Sequence, residues 1–455
     1  MKSENQGLLV GNPGSFEARA ALSDNLSMGN LYTRLLADII CFLFLFNFQL
    51  VKGVGITSSF IVALAIAAGS LLCSRSIRSG LFRLIRSRYF ASICTMTLFT
   101  IFYAFLSAIL HGTGDFTFCE ALLKALLVIA GSAIFFVFLK SVFNVPVVEI
   151  LIDAFIIQSV IIIFSFFSPA FKSATDIFRS DDLILTSERY SGYRGLAIAG
   201  SAYYGLAIAY AYIYVLVAFH WEKWSIRSLP LRIASIILLV FAGVTAGRTA
   251  AIGLPFALIV FIWRIGKKRV LKIGSHLSIF ISSTLIACIC TVFLITAPQA
   301  HSVDIPPQLE SFKEYAFSFI ENFNPEDIMS STSSTEQLSE MYFPLTFDQL
   351  IVGDGAYTSS DGLYYMNTDA GYMRTILYFG VPGLFLIMMC QLSIIRPVPN
   401  YRFSAIIFFL LLLILEYKGE ALLLPMCLNT VILLSQFEFH FAETSNNDQT
   451  MNLFC

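Results

Sequence analysis

Charge is what this chain has least of. Only 13% of its 455 residues are Asp, Glu, Lys or Arg, where a soluble domain carries about a quarter. That leaves too little polar surface to cover a water-soluble globule of this size. The charges also nearly cancel, 30 acidic against 29 basic, which argues against a nucleic-acid partner, whose binding needs a basic face. Cleaved leaders need an apolar core, and Met1 to Asn30 has none, being polar and rich in Gly, Ser and Asn. No lipidation motif is present. The five histidines are scattered: His220, His276 and His440 on one side of the spans proposed below, His111 and His301 on the other. No His-x-x-Glu-His spacing exists to hold zinc. No Asp-x-Asp pair or P-loop glycine pattern appears either. Neither a metal nor a cofactor is expected.

Cysteine is present nine times but without a disulfide pattern. Cys41, Cys73, Cys94, Cys288, Cys290, Cys390 and Cys427 fall inside apolar blocks, and Cys455 ends the chain. Cys119 alone is expected in an extramembrane loop, where it has no partner.

What the chain does have is long apolar runs, with 57% of residues hydrophobic. The blocks approach the ~20 residues that cross a bilayer core. Every backbone amide in hydrocarbon must be satisfied within its segment, so such blocks must be helices; barrel strands would alternate in polarity. The expectation is an all-α polytopic membrane protein of about 12 spans. These run over Leu35–Val51, Val54–Cys73, Phe90–Leu110, Ala121–Leu139, Val148–Phe167, Gly195–Phe219, Leu231–Ala246, Thr249–Trp263, Ile273–Thr296, Met373–Ile394, Phe403–Glu416 and Ala421–Phe437. The corresponding divisions are an N-terminal tail (1–34), spans one to nine (35–296), a large outer loop (297–372), spans ten to twelve (373–437) and a C-terminal tail (438–455). Spans seven and eight are one apolar stretch interrupted by Gly243, Gly247 and Arg248, which suits a hairpin of short helices with Arg248 at its tip.

Basic loops set the orientation. Arg75, Arg78, Arg83, Arg86 and Arg88 follow span two, and Arg264, Lys267, Lys268, Arg269 and Lys272 follow span eight. With both loops cytoplasmic, nineteen of the 29 basic residues and both termini lie inside. Loop 297–372 then lies outside. It holds Lys313 as its only basic residue against twelve carboxylates. Phe312, Ala316, Phe319, Ile320 and Phe323 recur at helical spacing, as in an amphipathic surface helix. Ser330–Thr335 reads as flexible, and Gly353-Asp354-Gly355 reads as a turn.

Several cations run against the positive-inside bias. Arg189 and Arg194 precede span six, Arg248 sits between spans seven and eight, Arg374 heads span ten, and Lys418 follows span eleven. Charge at such depth is paired or functional. A guanidinium fork matches phosphate oxygens, whereas the plainer reading has each arginine on headgroups or on a loop carboxylate. Lys418, between Glu416 and Glu420, reads either as part of the same basic site or as a locally ion-paired turn. Asp369 and Asp354 neighbour glycines near Arg374; each is either a base for a sugar hydroxyl or a turn or cap residue. Asp38 and Asp153 lie near inner span ends and face headgroup water or a helix partner.

Four pieces carry a resemblance: Arg189-Tyr-Ser-Gly192 with Arg194, Gly247-Arg-Thr-Ala250, Gly353-Asp-Gly355, and Asp369-Ala-Gly-Tyr-Met-Arg374 followed by Gly380-Val-Pro-Gly383. In this order, on about twelve spans with one late outer loop, they resemble the O-antigen polymerase family (Wzy type) and, more distantly, the O-antigen ligases. The resemblance implies a multi-pass protein of the bacterial inner membrane. It would join glycan repeat units carried on undecaprenyl pyrophosphate at the periplasmic face, with membrane lipid and a chain-length regulator as partners. It implies that Arg189, Arg194, Arg248, Arg374 and Lys418 hold the pyrophosphate, that Asp369 or Asp354 serves catalysis, and that Tyr372 and Glu420 contact substrate. A lipid-oligosaccharide flippase also fits the span count, but it would more often show repeated halves and a site at mid-membrane. A non-catalytic scaffold would leave the outer arginines without a role.

Overall fold

In a computed structural model the chain is described over residues 31–50, 56–72, 75–181, 183–185, 194, 198–200, 203–226, 228–267, 333–395 and 402–451. Span nine, Arg189, the stretch around Phe312–Phe323, and residues 330–332 lie outside the described residues. The described residues are mostly helical, and no strand occurs among them. Five helices are long and apolar enough to cross a membrane: Arg88–Leu110, Thr117–Phe143, Val147–Phe167, Leu229–Ala246 and Gly371–Ile394. Shorter apolar helices cover Ser58–Gly69 and Tyr204–His220.

The elements in chain order are α1 (31–46), α2 (Ser58–Leu72), α3 (Arg75–Ile85), α4 (Arg88–Leu110), α5 (Thr117–Phe138), α6 (Val147–Phe167) and α7 (Pro169–Asp176). There follow α8 (Tyr204–His220), α9 (Leu229–Ala246), α10 (Gly253–Lys267), α11 (Ser333–Glu340), α12 (Phe347–Ile351), α13 (Gly371–Ile394), α14 (Arg402–Lys418) and α15 (Met426–Met451). Their limits have local causes. Ser87 caps α4 by accepting from the Phe90 N–H at 3.1 Å. Asn144, in the left-handed region at φ 51°, closes the π turn that ends α5, and Pro146 opens α6.

The core is built around α8. Every residue from Leu206 to His220 is buried, and α6, α9, α10 and α15 pack around it. Small residues allow the close approach: a Cβ on Gly253 would stand 2.3 Å from the Ala211 carbonyl oxygen. The tyrosine hydroxyls of α8 all find partners, as buried polar groups must. Tyr210 meets Ser159 at 3.0 Å, Tyr212 meets Ser435 at 3.1 Å, and Tyr214 donates to the Leu239 carbonyl at 3.1 Å.

Ion pairs gather at the two ends of the bundle. At one end Arg34 bridges Glu149 at 3.1 Å and Asp153 at 2.6 Å, and Lys140 holds Glu438 at 2.7 Å. At the other end Arg374 meets Glu420. Asp153 thus has a helix partner.

Several expected boundaries move. Arg34 is helical, so 31–34 belongs to α1 and not to a tail, and the segment from 438 continues α15 to Met451. Cys119 is buried in α5, because Asp115 Oδ1 accepts the Thr117 N–H at 3.0 Å and starts the helix before Ala121. Tyr203, at φ 59°, delays α8 past Gly195, and Leu423, at φ 63°, delays α15 past Ala421. Ser333–Thr335, expected as part of a flexible run, instead opens the helix Ser333–Glu340. Spans seven and eight are separate helices joined by a 3-10 turn, Arg248–Ile252.

The largest departure is inside α13, which breaks at Phe379 and Gly380. The break leaves carbonyls without intrahelical partners. The 353–355 turn supplies them: the Asp354 N–H donates to Leu377 O at 2.6 Å and the Gly355 N–H to Tyr378 O at 3.0 Å. Gly353 (φ 75°) and Gly380 (φ 71°) hold left-handed backbone where the two segments touch. Pro382 falls just after the break, where its missing N–H costs no helix bond.

Candidate functional site

The end of the bundle carrying Arg374 collects most of the residues singled out from sequence. Asp369 lies just before α13, and Ala370 caps that helix. Gly371 brings the helix start against α14: a Cβ there would lie 2.5 Å from Glu416 Oε1. Lys418 is the last residue of α14, and Arg248 opens the turn after α9. Arg194 Nη2 sits 3.7 Å from where a Cβ of Gly247 would be, so it flanks Arg248, and its guanidinium lies 5.3 Å over the Tyr203 ring. Lys418 is within electrostatic reach of Arg248, Arg194 and Asp369. Four separate stretches of sequence therefore place three cations and one carboxylate together.

The Glu416–Glu420 turn does not pair locally with Lys418. Glu416 points inward and accepts the N–H groups of Ala421 and Leu422 at 2.6 and 2.7 Å. Glu420 Oε2 takes Arg374 Nη1 at 2.9 Å, and its Oε1 accepts the Tyr357 hydroxyl at 2.6 Å. The arginine is sandwiched, with Cζ 3.8 Å from the Tyr357 ring centroid and 4.0 Å from that of Tyr364. It is 6% exposed. Arg374 is thus held by one carboxylate and two rings. Burial, then the Glu420 charge, raises the Tyr357 hydroxyl well above its ordinary range, so it remains a donor.

Asp369 is solvent-accessible but recessed. Surrounding protein displaces enough water to raise its carboxyl above the ordinary range, against the pull of Arg374 and Lys418. Asp354 is placed differently: its carboxylate accepts from Gln349 Nε2 at 2.9 Å and the Tyr365 hydroxyl at 3.2 Å, while its backbone holds the α13 break. The Tyr372 hydroxyl donates to the Leu413 carbonyl at 2.6 Å and ties α13 to α14.

No family model, no curated protein and no solved structure matches this chain. The reading of the site therefore rests on its chemistry.

Sequence reasoning missed three residues here. Asp115 Oδ2 accepts the N–H groups of Tyr357 and Thr358, both at 2.7 Å, and the Thr358 hydroxyl at 3.0 Å. Burial would lift its carboxyl, but these bonds and those from Thr117 hold it below the ordinary range. It was findable as the only Asp or Glu between Asp38 and Glu120. Tyr342 stacks on Tyr417 at 4.6 Å, and its hydroxyl donates to the Tyr417 carbonyl at 2.6 Å. Tyr357 carried no signal, because a tyrosine in a polar loop is unexceptional. His111 is packed under Gly355, with Nδ1 donating to Ser107 O at 2.8 Å.

Chemically, the arrangement offers charge-assisted donors for an anionic group beside an accessible carboxylate, at one end of an apolar bundle. Among the described residues no group of His, Cys, Asp and Glu is arranged to hold a metal.

Proposed function

We propose that the chain is a membrane glycosyltransferase of the O-antigen polymerase type, joining oligosaccharide units carried on a lipid pyrophosphate. The observation that carries this reading is that Lys418 lies within electrostatic reach of Arg194, Arg248 and Asp369 at one end of an apolar helix bundle. An acceptor hydroxyl attacks the anomeric carbon of the lipid-linked glycan. The bond from that carbon to the pyrophosphate oxygen breaks, and a glycosidic bond forms. Asp369 takes the hydroxyl proton. Arg194, Arg248 and Lys418 stabilise the charge that grows on the leaving pyrophosphate, a preorganised electrostatic task. Arg374 works through Glu420 and Tyr357 as a rigid wall that positions the segment from Tyr357 to Asp369.

Deleting the gene and running the surface polysaccharide on a gel tests the reading. A polymerase defect leaves single repeat units on the acceptor. Loss of even the single-unit product would point to a ligase or flippase and overturn the proposal.

A further inference from the structure

Two consecutive residues at the head of α8, Tyr203 and Tyr204, take no part in the proposed chemistry, yet each touches the support of a cation that does. The backbone here is strained. Tyr203 has φ 59° and ψ −119°, outside the wells open to an L residue. Such a residue persists only where its surroundings over-determine it, and here they do. The Tyr203 hydroxyl donates to the Leu183 carbonyl at 3.1 Å. Its own carbonyl accepts the Ala207 N–H at 2.9 Å and so opens α8. Its ring lies under the Arg194 guanidinium at 5.3 Å.

Tyr204 turns to α14. Its hydroxyl donates to the carbonyls of Leu415 and Gly419, the latter at 3.0 Å. A Cβ on Gly419 would meet the Tyr204 ring at 3.0 Å, so the ring is seated on that turn as well. Leu415 and Gly419 bracket Lys418, the last residue of α14. The final carbonyls of a helix lack intrahelical donors, and the Tyr204 hydroxyl supplies one. Tyr342 supplies another through its bond to the Tyr417 carbonyl at 2.6 Å. Tyrosine hydroxyls therefore fix the backbone from which Lys418 reaches Arg194, Arg248 and Asp369.

The third cation rests on the same spot. Gly247, which precedes Arg248, packs against the first turn of α8. A Cβ there would stand 3.0 Å from Ala207 Cβ, 3.7 Å from Arg194 Nη2 and 3.9 Å from the Tyr203 carbonyl oxygen. Arg194, the turn carrying Arg248 and the end of α14 carrying Lys418 thus all meet at the head of α8.

We propose, resting on the assignment of these cations to a pyrophosphate group, that Tyr203 and Tyr204 are positioning residues that assemble the anion site. Tyr204 seats Lys418, and Tyr203 seats Arg194 beside the Arg248 turn. Like charges push apart, so three cations face one anion only where the backbone holds them. Held in place, they bind an anion more tightly than cations that must first be gathered.

Isothermal titration calorimetry of the full-length chain in detergent tests this, with inorganic pyrophosphate as the probe. Tyr204→Phe keeps the ring on Gly419 and removes only the hydroxyl. It should weaken pyrophosphate binding about fivefold, the net effect of one hydrogen bond. In a Lys418→Ala background the same change should do nothing further, because the side chain it seats is gone. Tyr203→Leu should weaken binding about threefold, the effect of one cation–π contact, and Tyr203→Phe, which keeps the ring, should retain most of the binding. Melting curves identify the folded variants, and the Tyr203 pair reads the site without the Tyr204 hydroxyl. Wild-type affinity in folded Tyr204→Phe or Tyr203→Leu would remove that residue from the assembly. A Tyr204→Phe loss of the same size with and without Lys418 would make its role merely structural and overturn the proposal. A wild-type chain that binds no pyrophosphate would overturn the anion site altogether. Transfer from a synthetic lipid-pyrophosphate oligosaccharide separates the tyrosines' role from the polymerase reading. Tyrosine-dependent pyrophosphate binding by a chain that forms no glycosidic bond supports the assembly and sinks that reading. Normal transfer with binding indifferent to both tyrosines does the reverse.

Discussion

Arg374 Nη1 lies 2.9 Å from Glu420 Oε2, and both groups are largely removed from solvent, at 6% and 17% side-chain exposure. The pair links the start of α13 to the turn after α14. Removing one member strands the other charge between two tyrosine rings. Glu420→Ala should therefore destabilise the protein by about 3 kcal/mol, the cost of breaking a buried ion pair from one side. Replacing both residues with Met should cost much less than the two single changes combined, because no charge is left stranded. Thermal unfolding of the purified variants reads both. If the double variant loses as much as the sum of the singles, the residues do not act as a pair.

Arg248 and Lys418 are assigned to the leaving pyrophosphate, so replacing them should act on the reaction first. Arg248→Ala and Lys418→Ala are expected to leave protein levels and melting unchanged while lowering polymer formation by about 10²–10³-fold, the range for losing one preorganised donor. Arg248→Lys keeps the charge without the planar fork and should fall between the two. Transfer from a synthetic lipid-pyrophosphate oligosaccharide, followed by chromatography of the products, gives the rates. Wild-type rates from Arg248→Ala would remove it from the site.

The break in α13 depends on two glycines far apart in sequence. At Gly380, φ is 71°, and a Cβ would come 2.5 Å from the Ile351 carbonyl oxygen. Gly380→Ala should cost about 1–2 kcal/mol for left-handed backbone alone, with the clash added. Pro382→Ala, by contrast, should be close to neutral. Melting temperature and membrane yield measure this. A Gly380→Ala protein as stable as wild type would show that the break relaxes without the glycine.

This break also shows how far sequence reading reached. Apolar run length marked the long helices to within a few residues, because burying backbone in hydrocarbon leaves few other solutions. Gly380-Val-Pro-Gly383 and Gly353-Asp-Gly355 were both visible as unusual. Their pairing was not, since it depends on hydrogen bonds from Asp354 to Leu377 and from Gly355 to Tyr378, between a loop and a helix break. At the candidate site the placing of Arg194, Arg248, Arg374 and Lys418 at one end of the bundle could be read from span alternation. Their division could not: Arg374 is committed to Glu420, while Lys418 faces Arg248 and Asp369, and that follows from which way Glu416 and Glu420 turn. Cys119 and the first turn of α5 were misplaced because Asp115 accepts the Thr117 N–H and the helix starts earlier than hydropathy suggests.

Asp369 gives the sharpest test, because its protonation bears on stability and reaction in opposite ways. Burial raises its folded-state pKa, with Arg374 and Lys418 only partly opposing. A carboxyl raised in the folded state contributes stability below its unfolded pKa and loses that contribution as pH rises through the folded value. Asp369→Asn cannot ionise, so it should be at least as stable as wild type at neutral pH, with the difference vanishing in acid. The reaction needs the ionised form, because only the carboxylate can accept the acceptor hydroxyl's proton. Polymerisation should therefore fall on the acid side with a midpoint above the ordinary aspartate range. Lys418→Ala, by removing a charge that favours the carboxylate, should move the midpoint of its residual activity further up. Asn keeps the size of Asp without the base, so Asp369→Asn should give stable protein and no long chains, with single repeat units still reaching the surface. Melting curves between acid and neutral pH and a pH profile of polymer formation measure the two halves separately. Normal long chains from Asp369→Asn would make the residue a helix-start aspartate and pass the base role to another carboxylate.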